Sequence, residues 1–278
     1  ITEDDFWYII LNDITNHKKV VDLVNKINWN CNLKINKRKT HLKSYDSVYS
    51  SIKWFFKNEK QGIILEDDTL PSKSFFIFCE KLLKKYENNH EISQICGTSF
   101  LNEKKYKYNY RFSIYNFCWG YATWRRSFKD YDKKMKKWPY MKKNNALKKL
   151  INDNYFVRYW QYIFDQLYTK NKEAYDYKWL YSNWAKKKIS IVPNRHLVQN
   201  IGFTKDGTHT LENEKDWYVK IKPKEMKFLN FHPREIKIDV NYDKWVGKNI
   251  YRIAPNLSNT LFNFKRRFKY KIDQLLKR

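Results

Sequence analysis

The chain has 278 residues, of which 42% are hydrophobic and 18% aromatic, so it can form one large domain or two small ones around a substantial core. Its formal net charge of +27 favours an anionic partner, unless the lysines reflect a general drift in composition. No run of about 18 apolar residues predicts a spanning helix, and no secretory signal is visible. The four cysteines lack Cys-x-x-Cys spacing, which argues against a zinc site and predicts buried free thiols.

The first hundred residues alternate between strand and helix patterns. Buried strands are predicted at 6–13 and 62–65, further strands at 31–39, which alternates, and at 92–97, and helices with an apolar stripe at 17–27, 45–56 and 72–89. This alternation predicts an α/β fold with a mostly parallel sheet flanked by helices.

The second half is less regular. Residues 116–132 are dense in aromatic side chains, 141–170 have a helical pattern, and 188–193 are predicted to form a strand. The tail, residues 256–278, has apolar positions at helical spacing among lysines and arginines. A basic amphipathic helix of this kind either lies on an anionic bilayer or packs on the domain.

Three consecutive carboxylates, Glu66, Asp67 and Asp68, follow the strand predicted at 62–65. Ligands of open parallel sheets bind beyond the carboxyl ends of the strands. Since alternate residues of an extended segment point the same way, we expect Glu66 and Asp68 to face one site while Asp67 turns elsewhere. Carboxylate oxygens suit Mg²⁺ or Mn²⁺, and a loop that simply exposes three acids to water is the alternative.

The segment ILEDDTLP at 64–71 resembles the Asp-x-Asp segment of GT-A-fold nucleotide-sugar glycosyltransferases, a fold with a Rossmann-like, mostly parallel sheet. Further blocks resemble those of a bacterial group of these enzymes and occur in the same order, over roughly residues 5–245. They are FCWGYATWRR (117–126), YDYKW (175–179), NIGF (200–203), DGTHT (206–210) and FHP (231–233).

The resemblance implies a metal-dependent glycosyltransferase, expected in the cytoplasm or at the inner face of the membrane. It would move a sugar from a nucleotide-diphosphate sugar, with Mn²⁺ or Mg²⁺ as cofactor, to a hydroxyl of a surface glycan, polysaccharide or lipid-linked acceptor. The implied domain covers 1–255, with a donor half over about 1–115, a helical, aromatic-rich acceptor half over 116–255, and the helix 256–278 beyond it.

The resemblance also implies roles for individual residues. The implied metal ligands are Glu66, Asp68 and His209, the implied nucleotide-sugar contacts are Asp13, Arg38, Asp67 and Arg125, and the implied base of an inverting transfer is Asp176.

Each of these roles has an alternative. Asp176 equally suits the start of a helix, and His209 equally suits a phosphate contact or an ordinary loop. Arg125 and Arg126 are alternatively stacked on Trp124 or bonded to a helix carboxylate. The tryptophans that could stack on a sugar ring are more often core residues; they are Trp119, Trp124 and Trp179.

The chain departs from the family pattern at its start. The strand that usually holds the nucleotide base is absent, because Ile1 falls just before what corresponds to the second strand. Either the sequence begins after that strand or the donor pocket is altered. A catalytically degenerate domain that binds carbohydrate or assists assembly is therefore the alternative function. Nucleic-acid binding is not expected, because the basic residues are scattered and no known binding module is visible.

Overall fold

The structure of the protein is a computed structural model, and it describes residues 6–11, 17–28, 30–101, 107–170, 172, 174–203, 217–227 and 231–253. The chain divides into two compact units, Ile1–Glu59 and Lys60–Arg278. Among the described helices, none has both the length and the apolar character needed to cross a membrane. The helix predicted at 256–278 lies outside the described residues.

The first unit contains a β-α-β element followed by a second helix. Strands β1 (Phe6–Leu11) and β2 (Asn32–Lys37) pair in parallel along their whole length, and helix α1 (His17–Val24) lies between them in the chain. Parallel neighbours require a crossover connection, which the segment containing α1 supplies. Helix α2 (Ser44–Asn58) follows, so the alternation predicted for this part of the sequence is confirmed.

The second unit is built on a five-stranded sheet. Its strands and those of a small two-stranded sheet are β3 (Gln61–Ile64), β4 (Thr69–Pro71), β5 (Ile92–Cys96), β6 (Tyr110–Ser113), β7 (Tyr121–Trp124), β8 (Ile189–Pro193) and β9 (Val198–Asn200). The helices are α3 (Lys73–Lys85), α4 (Arg125–Phe128), α5 (Trp138–Lys143), α6 (Ala146–Leu150), α7 (Asn154–Thr169), α8 (Tyr175–Ala185) and α9 (Val240–Asn249), with a 3₁₀ turn at Trp217–Lys220.

The five-stranded sheet is mixed, whereas the sequence pattern predicted a mostly parallel sheet. Its order is β3-β7-β5-β8-β6; only β5 and β8 pair in parallel, and the other three pairs are antiparallel. The difference arises because β6 and β7, two short strands that the sequence pattern did not predict, run against the other three. Strands β3, β5 and β8 run in one direction, so their carboxyl ends lie at the same edge of the sheet.

Helices cover both faces of this sheet. Along β8, Ile191 and Val192 point to opposite faces and belong to two different apolar clusters. The cluster around Ile191 is closed by α3, whose Phe75 and Phe78 are fully buried. The cluster around Val192 includes Trp160 of α7 together with side chains of α5, α8 and α9. Because both faces of the sheet are buried, its strands are held in place. The candidate site lies where β3, β5 and β8 end.

Candidate functional site

The three predicted carboxylates lie at the edge of the sheet where β3, β5 and β8 end. Beyond β3 the chain folds into a tight turn, which we call the carboxylate turn (residues 66–69). The backbone N–H of Thr69 donates to the carbonyl oxygen of Glu66 at 3.1 Å, and the Thr69 hydroxyl donates to the same oxygen at 2.6 Å. This hydroxyl fixes the turn locally, as threonine side chains often do.

Strand β9 holds Asp68 from the other side. The backbone N–H of Ile201 donates to the carbonyl oxygen of Asp68 at 2.7 Å, and Asn200 Nδ2 donates to Asp68 Oδ2 at 3.2 Å. Asn200 Oδ1 in turn accepts from the backbone N–H of Gly202 at 2.8 Å. A Cβ atom built on Gly202 would lie 2.4 Å from Asp68 Oδ2, so only glycine leaves room for this carboxylate. The NIGF segment therefore packs closely against Asp68 and holds its carboxylate in one position.

The Asp68 carboxylate is half-buried and incompletely compensated. Burial raises its pKa above the ordinary value, the nearby charge of Asp67 adds to the rise, and the hydrogen bond from Asn200 opposes it. Its second oxygen, Oδ1, is buried and accepts no hydrogen bond from any described residue. A buried carboxylate oxygen without a donor is costly, and a bound cation or a proton would remove that cost.

Glu66 and Asp67 are exposed beside Asp68. In the part of the chain that the structure describes, no three His, Cys, Asp or Glu side chains form a metal cluster. His209, the third predicted ligand, lies outside the described residues. A site with few protein ligands still fits Mg²⁺ or Mn²⁺, because Mg²⁺ is usually held by one or two carboxylates with water and substrate phosphates completing its shell.

A pair of tyrosines links the start of α8 to this edge. The hydroxyls of Tyr121 and Tyr175 lie 3.0 Å apart, and Tyr121 pairs with Ile64, the last residue of β3. Burial raises the pKa of both tyrosines, and the negative charge of Glu66 contributes to the rise. Asp176 follows Tyr175 in the first turn of α8 and is partly exposed. The charge of Asp176 itself contributes to the raised pKa of Tyr251, whereas the neighbouring Tyr175 feels the charge of Glu66.

The tryptophan–glycine block reaches the same edge. Gly120 has φ +64°, and its carbonyl oxygen accepts from the backbone N–H of Gly97 at the end of β5, at 2.8 Å. A Cβ atom on Gly120 would lie 2.9 Å from Val198 and 3.2 Å from Leu65, so this position requires glycine for both its conformation and its contacts. The neighbouring Trp119 ring contacts Phe203 of the NIGF segment, with ring centroids 5.4 Å apart.

Other residues of the same block lie elsewhere. Arg125 follows the carboxyl end of β7, and its backbone N–H donates to the carbonyl oxygen of Lys60 at 2.7 Å, at the opposite edge of the sheet. Arg126 lies 4.2 Å from the centre of the Trp124 ring and donates to the carbonyl oxygens of Tyr86 and Ile92, which is the stacked alternative foreseen from the sequence. The structure therefore does not bring Arg125 to the carboxylate turn.

Two of the three tryptophans are core residues. Trp179 is fully buried, and its Nε1 donates to Gln94 Oε1 at 2.6 Å. Trp124 is 2% exposed, and its Nε1 donates to the carbonyl oxygen of Leu83. Trp119 is the partly exposed one, at the edge that carries the carboxylates.

The predicted nucleotide contacts from the first unit have different outcomes. Arg38 follows β2, and its Nη2 lies 2.8–3.0 Å from acceptors on α2, namely Ser47 O, Ser50 Oγ and Ser51 Oγ. Burial lowers the pKa of Arg38. These bonds tie Arg38 to the start of α2 within its own unit. Asp13 lies outside the described residues.

Sequence reasoning missed several residues that build this edge. Asn200 and Gly202 were noted only as part of a block, although an Asn-x-Gly triplet directly after a strand is a recognisable turn signal. His196 had no readable partner; its Nδ1 lies 2.5 Å from the carbonyl oxygen of Ser99, and burial lowers its pKa to about 4. His196 is therefore a neutral buried histidine at the ends of β5 and β8.

Comparisons with known proteins add no assignment. A scan against models of protein families finds no match for this sequence, and a search of curated proteins finds no significant relative.

Proposed function

We propose that this chain is a metal-dependent glycosyltransferase with a GT-A-type donor site at the carboxylate turn. It transfers a sugar from a nucleotide-diphosphate sugar to a hydroxyl of a glycan or lipid-linked acceptor. The main observation in support of the proposal is the set of contacts that Asp68 makes with the NIGF segment. Segments that the family resemblance picks out separately meet there, because Asp68 of the ILEDDTLP segment is bonded to Asn200 and covered by Gly202 of the NIGF segment.

The arrangement of the strands also supports this proposal. Strands β3, β5 and β8 share one direction, and ligands of α/β sheets bind beyond the carboxyl ends of such strands. The carboxylate turn, Gly120 and His196 all lie at that edge. The mixed sheet alone does not define a GT-A fold, and the GT-A arrangement is proposed from the site together with the strand directions.

The metal would be held by Asp68, with Glu66 as the second carboxylate. Asp68 Oδ1 is buried and accepts no hydrogen bond from a described residue, which is the condition that a cation would relieve. A bound Mg²⁺ or Mn²⁺ would offset the charge of the donor diphosphate as the nucleotide leaves. The hydrogen bond from Asn200 orients the Asp68 carboxylate and favours its charged form, in opposition to the rise in pKa that burial causes.

Asp176 acts as the general base of this inverting transfer. The acceptor oxygen forms a bond to the anomeric carbon, the bond from that carbon to the diphosphate oxygen breaks, and the acceptor proton passes to the Asp176 carboxylate. The hydrogen bond between Tyr175 and Tyr121 supports this role, because it ties the first turn of α8 to the sheet edge that carries Glu66.

The test is a panel of nucleotide sugars, measured by thermal shift with and without Mn²⁺ and then by release of nucleotide diphosphate. We expect one donor class to stabilise the protein only with Mn²⁺, by about 2.7 kcal/mol at a hundredfold excess over Kd. Asp68→Asn should abolish both the stabilisation and the release. Glu80→Gln, which changes an exposed carboxylate on α3, is the matched control and should behave as wild type.

Two results would count against the proposal. Full transfer by Asp68→Asn would remove the metal site from the mechanism. Donor binding without nucleotide release, with every acceptor class tried, would favour the carbohydrate-binding or assembly module instead.

A further inference from the structure

Lysine is concentrated in one surface segment of the second unit, which we call the lysine surface (residues 129–149). The segment contains nine lysines against two acids, Asp130 and Asp132. Six of these lysines lie within residues 133–143, in or just before α5, and an open cleft of about 410 Å³ lies beside the first part of the segment. The lysines that line this cleft are Lys129, Lys133, Lys134, Lys136, Lys137 and Lys186.

The acids close to these lysines already have partners in the chain. Asp130 is paired with Lys186 at 2.8 Å and with Lys188 at 2.6 Å. These pairs hold the pKa of Asp130 below its ordinary value despite partial burial. Asp132 Oδ2 accepts from Tyr181 at 3.4 Å.

Four of the lysines that line the cleft are left with uncompensated charge. Among the described residues, Lys129, Lys134, Lys136 and Lys137 have no ion-pair partner, and all four are exposed. The cleft therefore carries a strong positive potential that attracts an anionic partner.

The backbone that carries the lysines is rigidly held. Met135 and Trp138 alternate with the lysine pairs and are each 1% exposed, so they anchor the segment in the core. Trp138 Nε1 donates to Asp165 Oδ1 at 3.0 Å. Met135 has φ +50°, a conformation that costs free energy for a side chain of this size and persists only where its surroundings enforce it. The lysines are thus presented on a fixed frame and not on a loose loop.

An exposed aromatic residue stands among these lysines. Tyr140 is 72% exposed, follows the exposed Pro139, and lies between Lys137 and Lys142 in α5. Tyrosine suits the boundary between water and lipid, because its ring is apolar and its hydroxyl is polar. An exposed ring within a cationic surface distinguishes a bilayer partner from a dissolved anion.

We propose that the lysine surface docks on an anionic lipid bilayer, with lysines on the phosphate headgroups and Tyr140 in the interfacial region. The proposal is independent of glycosyl transfer, and also of the basic tail at 256–278. The docking surface and the candidate site share helix α8. Ala185 lines the lysine cleft about 15 Å along the helix axis from Tyr175, and Tyr131, which also lines the cleft, stacks on the Tyr175 ring with centroids 5.2 Å apart.

The test uses the full chain and sedimentation with phosphatidylcholine vesicles, with or without phosphatidylglycerol. We expect binding only to the anionic vesicles, and weaker binding as salt is raised. Each lysine near an anionic bilayer strengthens binding about fivefold, so the variant Lys134→Gln, Lys136→Gln, Lys137→Gln should bind about 100-fold more weakly. The matched control removes three exposed lysines of α3, on the other face of the sheet: Lys81→Gln, Lys84→Gln, Lys85→Gln.

A second comparison separates a bilayer from a soluble polyanion. Tyr140→Ser should weaken binding to anionic vesicles and leave binding to heparin unchanged. Circular dichroism of each variant checks that it is folded. The proposal would be overturned if the two triple variants lost binding to anionic vesicles equally. It would also be overturned if the variant of Lys134, Lys136 and Lys137 bound these vesicles as tightly as wild type. If Tyr140→Ser bound anionic vesicles as tightly as wild type, Tyr140 would have no role at a bilayer. The surface would then be assigned to a soluble polyanion instead.

Discussion

A buried carboxylate on α9 makes the stability of this protein depend on pH. Asp243 is 6% exposed and lies against β6, where its Oδ1 accepts from the Ser113 hydroxyl at 2.5 Å and its Oδ2 from the backbone N–H of Ile114 at 3.2 Å. Burial raises the pKa of Asp243 from 3.8 to about 7, and the charge of Asp239 adds to the rise. The two hydrogen bonds and Arg111 oppose it.

The sign of the effect depends on whether Asp243 loses its proton at a lower pH in the folded or in the unfolded chain. Below pH 4, Asp243 is protonated in both the folded and the unfolded chain and contributes nothing to the pH dependence. Between pH 4 and 7 the unfolded chain ionises while the folded protein keeps its proton, so the free energy of unfolding falls as pH rises. A shift of about three pH units corresponds to a fall of about 4 kcal/mol, which is complete above pH 7.

Urea unfolding of wild type and Asp243→Asn, at a series of pH values from 4 to 8 and constant ionic strength, isolates this contribution. Other titrating groups cancel in the difference, because asparagine has a similar shape and does not titrate. We expect the wild type to lose about 4 kcal/mol relative to Asp243→Asn across the window. Ser113→Ala removes a bond that favours the charged form and should extend the upper limit of the window to higher pH. A difference that stays constant from pH 4 to 8 would refute the reasoning.

Three further predictions concern single positions. His196 has its pKa lowered from 6.5 to about 4, so it should cost about 3 kcal/mol of stability as pH falls from 6.5 to 4, and His196→Asn should lack this loss in the same urea series. Gly202→Ala should displace the Asp68 carboxylate by close to 1 Å and lower metal-dependent transfer about 100-fold with little change in Tm; unchanged transfer would contradict it. Gly247→Ala places a Cβ 1.9 Å from Phe156, so it should lower the free energy of unfolding by about 3 kcal/mol, and Phe156→Leu should restore part of that loss.

The sequence predicted the α/β alternation of the first hundred residues because hydrophobic periodicity is a local property. Each predicted segment there overlaps a strand or helix of the described structure, whereas the short strand β4 was not predicted. The expectation that Glu66 and Asp68 face one site was also a local argument, but it assumed extended backbone, whereas residues 66–69 form a tight turn, so the alternation of side chains does not apply there. The contacts of Asp68 with Asn200 and Gly202 could not be predicted in this way. Asn200 lies 132 residues further along the chain, and only the antiparallel pairing of β4 with β9 brings it to the carboxylate turn.

Strand direction decides which residues of a sequence block can reach a site. Arg125 of the block at 117–126 was predicted to contact the nucleotide sugar, and Trp119 of the same block was one of three tryptophans that could stack on a sugar ring. In the structure β7 runs from the carboxylate edge to the opposite edge, and Arg125 lies four residues beyond Tyr121, which is about 13 Å along an extended strand. Gly120 and Trp119 therefore remain beside the carboxylate turn, while Arg125 lies beside Lys60. A strand that runs against its neighbours separates residues that are close in sequence, so a role at this site has to be argued for each residue of the block on its own.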